Sequence, residues 1–425
     1  MRMRKSLWLS LWIALQHSVI GYRCSRTAAV SPILSRTLLC STRSSALEQL
    51  KQQQSEAQSR LREEKVQRKY HEHLDLIASG DEGAIKNLAN LETWKLLNTG
   101  GLTISTHGYT PMTRQPPLLN EVDAIRLCSS MDRSGFETIS ASQFQWDKFG
   151  VDFGKIAATM EQLVDAGWPP VFIFMFDEPW KVCCRLFDCM GQLIDDDELL
   201  LEHSMYAWAL HRPELSDPSS AAKVEKVGTN FGTPHRDITY NNCHNPDDGK
   251  PDILSVWIPV VDVSTENGCM YVIPRERDPQ FSLDVSKKDQ DPFSHRFQYE
   301  AVLPLAPIDA GSALVWHPNL IHWGSSCRAT SQLPPRKSIA MAFRVRDSRR
   351  PSTDKELSRY GRSPFTREEM LAGGPTLKAR IQMIAKALVL YNVWYPEYHG
   401  FDLGMIATTD DEEKKNDEPA RGILN

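Results

Sequence analysis

The chain has no excess of positive charge. Lysine and arginine number 49 against 54 aspartates and glutamates over 425 residues, and no long basic stripe runs through the body of the sequence. Nucleic acid is therefore not expected as the main partner, because a phosphate backbone is met by clustered cations. Long apolar runs are also missing. The best stretch, LWLSLWIAL (Leu7 to Leu15), is too short for the ~20 residues a membrane helix needs, so no stable membrane insertion is expected. The nine cysteines show no regular spacing, and Cys183, Cys184 and Cys189 form no C-x-x-C pair. They read as reduced, small apolar residues rather than a disulfide framework. No repeats are visible. What the chain does have is an ordinary globular composition, 41% apolar and 24% charged, enough to bury a sizeable core.

Acids are missing from the first 47 residues, which carry seven basic residues from Arg2 to Arg43. Residues 1–44 read as a targeting leader: an apolar core after a basic start, then the Arg- and Ser-bearing YRCSRTAAVSPILSRTLLCSTRSS. A plastid or a mitochondrion is the expected destination; the secretory pathway or the cytoplasm is the alternative. Residues 45–97 form an N-terminal helical segment, with no Gly or Pro from Ser45 to Ile77.

A main domain is expected over 98–350. Residues 98–120 read as loop and short strand, Phe153 to Ala166 as helix, and VFIFMF (Val171 to Phe176) as an apolar strand. Asp177 opens a second helix running to about Ile194, with acids at its favourable N-terminal end. From Met205 the texture becomes β, in short aromatic and β-branched runs such as ILSVWIPVVDV, CMYVIPR, GSALVWHP and KSIAMAFRVRD. Such runs without regular intervening helices imply a mainly β fold with flanking helices, a double-stranded β-helix (jelly roll, cupin-like). Residues 351–405 form a C-terminal helical segment. Thr366-x-x-Glu369 makes a capping box there, and Leu377, Ile381, Ile384, Leu388 and Tyr391 share one face. Residues 406–425 are a charged, disordered tail.

One stretch, His235-Arg-Asp-Ile-Thr-Tyr-Asn-Asn242, fits two chemistries. It matches a protein-kinase catalytic loop, with Asp237 as base and Asn242 on magnesium. A kinase also needs a glycine-rich phosphate loop and a strand lysine, and neither is recognisable. Asp152-Phe153-Gly154 spells the kinase D-F-G, but it lies before the H-R-D rather than after it. The same letters contain His235-x-Asp237. Residues two apart on a strand point to one side, so an imidazole and a carboxylate can converge on one ion. Downstream, GSALVWHPNLIHWG reads as strand, Pro-Asn turn, strand. It offers His322 within the second strand and His317 at the end of the first, beside the site. Arg336 and Ser338 then open the strand RKSIAMAFRV; a guanidinium forks onto a carboxylate, and a hydroxyl two residues on shares its face. Two histidines, a carboxylate and R-x-S suit iron(II) with a bound oxo-acid, three ligand positions remaining for cosubstrate and oxygen.

From about Phe172 to Arg346 the sequence resembles the phytanoyl-CoA dioxygenase family of iron(II)- and 2-oxoglutarate-dependent oxygenases. The resemblance is carried by His235-x-Asp237, WIPVVDVSTENGCMYVIP (Trp257 to Pro274), GSALVWHPNLIHWG and PRKSIAMAF. It implies His235, Asp237 and His322 as iron ligands and catalytic residues, and Arg336 as the anchor for the 2-oxoglutarate carboxylate, with Ser338 in support. Fe(II), 2-oxoglutarate and O2 are then the cofactor and cosubstrates. The implied reaction hydroxylates a C–H bond of a small organic substrate and releases succinate and CO2. Arg344 and Arg328 compete with Arg336 as the anchor. Asp237 excludes the vacant ligand position that related halogenases need. Two rivals stay open: a non-catalytic jelly-roll binding protein, and an oxygenase acting on a protein side chain. Asn267-Gly268 read as a turn, and Trp257 as core or pocket wall. Tyr206, Trp208 and His211 read as pocket or core, Arg236 as facing away, and His244 and His295 as exposed loop residues.

Overall fold

The computed structural model describes Leu88 and residues 90–212, 234–283, 299–346 and 365–391, all within the compact unit Ser59–Asn425. The expected leader, most of the 45–97 helical segment, His295 and the charged tail lie outside the described residues.

Among the described residues, ten strands form two antiparallel sheets. The larger has the order β1 (Phe136–Ile139), β7 (Ala313–Trp316), β4 (Ile253–Pro259), β9 (Lys337–Val345), β2 (Leu199–Leu201), β10 (Phe365–Thr366), with β3 (Tyr206–Ala209) also paired to β9. The smaller is β6 (Leu303–Leu305), β5 (Met270–Ile273), β8 (Ile321–Gly324). Residues of both sheets line one shared cavity, the double-sheet arrangement of a jelly roll. β9 is central because it is the longest strand and is apolar on both faces. It pairs with β4 over seven residues, from Ile253↔Arg344 to Pro259↔Ser338.

Helices back the larger sheet. α1 (Leu91–Leu96) and α2 (Glu121–Ser134) precede α3 (Phe153–Asp165) and α4 (Asp177–Ile194). The D-F-G letters belong to a helix start: Asp152 Oδ1 accepts the amides of Gly154 and Lys155. α4 is buried along most of its length, including the free thiols Cys183, Cys184 and Cys189. Before the last helix, Thr366 and Glu369 form the expected capping box. α5 (Leu377–Leu390) buries Leu377, Ile381, Ile384 and Leu388 as its spacing requires. Its opposite side is buried as well: Arg380 is fully enclosed, 2.7 Å from Asp177 and donating to the carbonyls of Met175 and Pro375. No helix among the described residues is long and apolar enough to cross a membrane.

Two local expectations fail. VFIFMF is not a strand; Pro170–Met175 form a 3-10 helix with every residue buried. Pro169 and Pro170 offer no amide to a ladder, and a run apolar on all sides buries equally well in either conformation. Residues 98–120 contain no strand. The first strand is instead Phe136–Ile139, which pairs with β7.

Candidate metal centre and cosubstrate pocket

The segment carrying His235 and Asp237 is not a regular strand. His235 makes a single bridge to His322, and Asp237 sits in the bend that follows. Backbone hydrogen bonds to β8 and to the turn that joins β7 of one sheet to β8 of the other hold both. His235 N donates to His322 O at 3.1 Å, and His322 N donates to His235 O at 3.0 Å. The amides of Asp237 and Ile238 both donate to Pro318 O, at 2.8 and 3.1 Å. The Pro-Asn turn thus seats one ligand-type segment, while β8, the strand that follows it, carries the other histidine.

The side chains converge. Asp237 Oδ1 lies 3.6 Å from His235 Nε2 and 3.6 Å from His322 Nε2. Among the described residues, these three form the one cluster of His, Cys, Asp or Glu ligand atoms that could hold a metal ion, all within 4.8 Å of one another. His322 Nδ1 is 3.0 Å from Leu320 O. Its proton is held there, which leaves the Nε2 lone pair facing the cluster. Burial pushes the His322 imidazole down to about 4 despite the nearby carboxylate, so it is neutral at physiological pH. Burial alone would raise Asp237. The imidazoles of His322 and His235, with the Trp316 indole, outweigh it and hold the carboxyl at about 2. Ser255 Oγ donates to Asp237 Oδ2 at 3.4 Å, a long contact that leaves Oδ1 as the oxygen facing the histidines. A hard anionic oxygen and two imidazole nitrogens on one side of a cavity are a donor set that fits a divalent iron ion.

The cluster opens into a cavity of about 300 Å³. Register explains the space beneath it. Ser255 and Trp257 on β4 face Ala342 and Ala340 on β9, so two methyl groups stand where large side chains would fill the hollow. Arg336, just before β9, lines the same cavity. It is 3% exposed, and no carboxylate among the described residues pairs with it. Its guanidinium is 5.8 Å from the Trp257 ring centre and Nη1 is 3.4 Å from Met270 Sδ. Burial lowers its pKa to about 10, so it stays charged near neutrality. A buried cation with only sulfur and aromatic neighbours is costly unless an anion reaches it. The cavity is the route by which one can.

Two glycines make room for this arginine. A Cβ on Gly324 would lie 2.8 Å from Arg336 Nη1. At Gly268, with φ +112°, a Cβ would strike Leu210 Cδ1 at 2.4 Å. The neighbouring Asn267 is fully buried. It donates to the carbonyls of Asp262 and Pro334, and its own carbonyl accepts the Arg336 amide at 3.0 Å. The Asn-Gly turn therefore seats the start of β9. Ser338 Oγ is fully buried without a protein hydrogen-bond partner. It shares the parity of Arg336 on the strand but is not part of the cavity wall.

Other candidates separate. Arg344 ion-pairs with Glu202 and Arg328 is a loop residue; neither lines the cavity. Trp208 and Trp257 do line it, while Tyr206 and His211 do not. His317 is not beside the three ligand atoms: its ring stacks on His244 at 4.9 Å, with Nδ1 3.0 Å from His244 Nε2. His244 is correspondingly buried, not an exposed loop residue, because it packs between Tyr240, Phe281 and His317. Arg236, expected to face away between the two ligands, has its side chain buried in an ion pair with Asp278. Sequence reasoning passed over Ser255, Trp316 and Gly324. A lone serine in ILSVWIP, at inward parity, was the available signal for the first. Leu390 and Tyr391, at the end of α5, also border the cavity.

Residues 167–337 match the family model of phytanoyl-CoA dioxygenase (PhyH). The chain carries a phytanoyl-CoA dioxygenase domain. That domain is the non-heme iron, 2-oxoglutarate- and O2-dependent oxygenase unit, and the protein is an oxidoreductase of that class. No curated protein matches the chain. Solved structures similar to it include the epimerase SnoN in complex with Fe3+, alpha ketoglutarate and nogalamycin RO. The two share 16% identity over 53% of this chain and 84% of that one, with a TM-score of 0.38. The non-heme monooxygenase ThoJ, in its apo form, is 12% identical over 64% of this chain and 98% of its own, TM-score 0.40. EctD from S. alaskensis, with 2-oxoglutarate and 5-hydroxyectoine, is 15% identical over 66% and 92%, TM-score 0.35.

Proposed function

We propose that His235, Asp237 and His322 hold the iron, that Arg336 takes the distal carboxylate of 2-oxoglutarate with Ser338 in support, and that the enzyme hydroxylates a C–H bond of a small organic substrate. The observation that carries this reading is the meeting, in one cavity, of three convergent ligand atoms and a buried guanidinium without a carboxylate partner. Iron bound there, with 2-oxoglutarate and O2, supplies the oxidising power: 2-oxoglutarate leaves as succinate and CO2, and one oxygen atom enters the substrate C–H bond. The chain's own residues bind and orient. Leu320 O fixes the His322 tautomer, Ser255 orients Asp237, and Arg336 provides the fixed positive end of the pocket. The aromatic walls, Trp208, Trp257 and Trp316, keep water from the interior.

Purified protein supplied with Fe(II) and 2-oxoglutarate should form succinate, and a C–H-bearing substrate should raise that rate and emerge with added oxygen. Failure of Asp237→Ala to reduce iron binding would sink the assignment. A leader directing the protein to a plastid or mitochondrion is proposed from composition, and a reporter fused to residues 1–44 would test it.

A further inference from the structure

We propose that Arg236 is a positioning residue for the iron site, its ion pair with Asp278 fixing the segment that carries His235 and Asp237. The proposal rests on the assignment of those two residues as iron ligands.

Arg236 lies between them in sequence, yet its side chain points into the protein. Its side chain is 7% exposed and that of Asp278 4%, with Nη2 2.7 Å from Asp278 Oδ2. Nη1 donates to Asn319 O, on the β7–β8 turn. Asp278 is itself held in place: its other carboxylate oxygen accepts the Gln280 amide at 3.0 Å, and its amide donates to Arg275 O at 3.1 Å. Three residues on, Phe281 O accepts Asn319 Nδ2 at 2.7 Å. Residues 275–281 therefore form a strap that grips both the 235–238 segment, through Arg236, and the turn that seats it, through Asn319.

The segment needs such a grip. A strand inside a sheet has its side-chain directions set by ladders on both sides. Among the described residues His235 is bridged to His322, and Asp237 lies in the bend beyond that bridge. Among the described residues, the backbone hydrogen bonds of His235, Asp237 and Ile238 run to Pro318 and His322, in the β7–β8 connection and on β8. They set how far the segment lies from His322. Side chains anchored to other elements restrict its rotation: Asp237 meets Ser255 on β4 through one long contact, and Arg236 reaches the 275–281 strap through a buried ion pair. Because the pair is buried, each partner keeps the other's charge satisfied, so the link does not slacken in water as an exposed ion pair does.

The test uses the full chain, stripped of metal and titrated anaerobically with Co(II) as the probe, read by its visible d–d band and by calorimetry. Arg236→Met and Asp278→Asn should each weaken Co(II) binding by ~10–100-fold, the usual effect of losing a group that orients a ligand, and should shift the d–d band. Arg236→Lys, which keeps the charge opposite Asp278, should restore part of the affinity. Wild-type affinity and an unchanged band in both variants, with only a lower melting temperature of the metal-free protein, would make the pair merely structural and overturn the proposal. Should Arg236→Met not fold, Asp278→Asn, which preserves shape, decides alone. A wild-type chain that binds no Co(II) defeats the iron assignment itself, a result distinct from unaffected variants.

Discussion

His235 and His322 sit directly opposite one another and exchange both of their backbone hydrogen bonds, at 3.1 and 3.0 Å. The closeness of their rings, 4.5 Å between centres, is thus set by main chain rather than by the side chains. His322→Gln should leave this pairing intact. The variant is expected to keep its far-ultraviolet circular dichroism and lose metal affinity by at least ~100-fold, measured by Co(II) titration. A folded variant that still binds metal tightly would remove His322 from the ligand set.

Ser255 restrains the Asp237 carboxylate through a single long contact. Ser255→Ala should therefore act weakly, lowering metal affinity by no more than ~10-fold, whereas Asp237→Ala should abolish binding. Equal losses in the two variants would contradict this division of roles.

Arg336 and Gly324 are coupled by contact. Arg336→Gln removes a charge-assisted fork worth about 2–3 kcal/mol, so the KM for 2-oxoglutarate should rise by roughly 30–100-fold. Gly324→Ala crowds the guanidinium and should raise the same KM while metal affinity is unchanged. Ser338→Ala should raise it by a smaller factor. Succinate formation against 2-oxoglutarate concentration measures all three, and an unaltered KM in Arg336→Gln would exclude this arginine as the anchor.

Acid should unfold the metal-free protein in two steps. His322 and His317 are held by burial at about 4 and about 3, below the ordinary imidazole value of 6.5. Between pH 6.5 and those values the unfolded chain takes up protons that the native one refuses, so stability falls as pH drops through this window and is flat above it. For His322 the loss reaches roughly 3 kcal/mol near pH 4. Asp237, depressed from 3.8 to about 2, adds a further loss below pH 3.8. Urea midpoints from pH 8 to 5 in the presence of a chelator measure the first window. His317→Gln should flatten the slope, and a slope identical to wild type would refute the part given to His317.

How much of this was legible in sequence depended on whether local pattern or distant contact decides. The strands from Tyr206 to Val345, except the short, exposed Leu303–Leu305, announced themselves because each runs apolar or aromatic between turn residues. His235, Asp237, His322 and Arg336 were picked out together by the order of the family motifs, and all four line one cavity. VFIFMF failed because burial on every side erases periodicity. His244 and His317 were misread because their environment comes from a residue far along the chain, Phe281, which packs against both, and the partner of Arg236, Asp278, is as distant. Nothing local marks a charge as one that will find a buried partner.

The end of α5 offers the last prediction. Leu390 and Tyr391 border the cavity from outside the 167–337 span. Tyr391→Ala should alter which substrates stimulate succinate formation while Co(II) and 2-oxoglutarate binding stay at wild-type values. A change in cosubstrate binding instead would place Tyr391 on the wrong side of the pocket.

That position gives the cavity two differently built walls. The parts proposed to hold metal and cosubstrate come from strands and turns interlocked by main-chain hydrogen bonds, where a change at one point disturbs several others. The wall at Leu390 and Tyr391 comes from one helix end that carries none of those bonds. Substitutions there can accumulate, or the helix end can be exchanged, without retuning the reaction centre. Selectivity in this protein is therefore free to drift faster than chemistry.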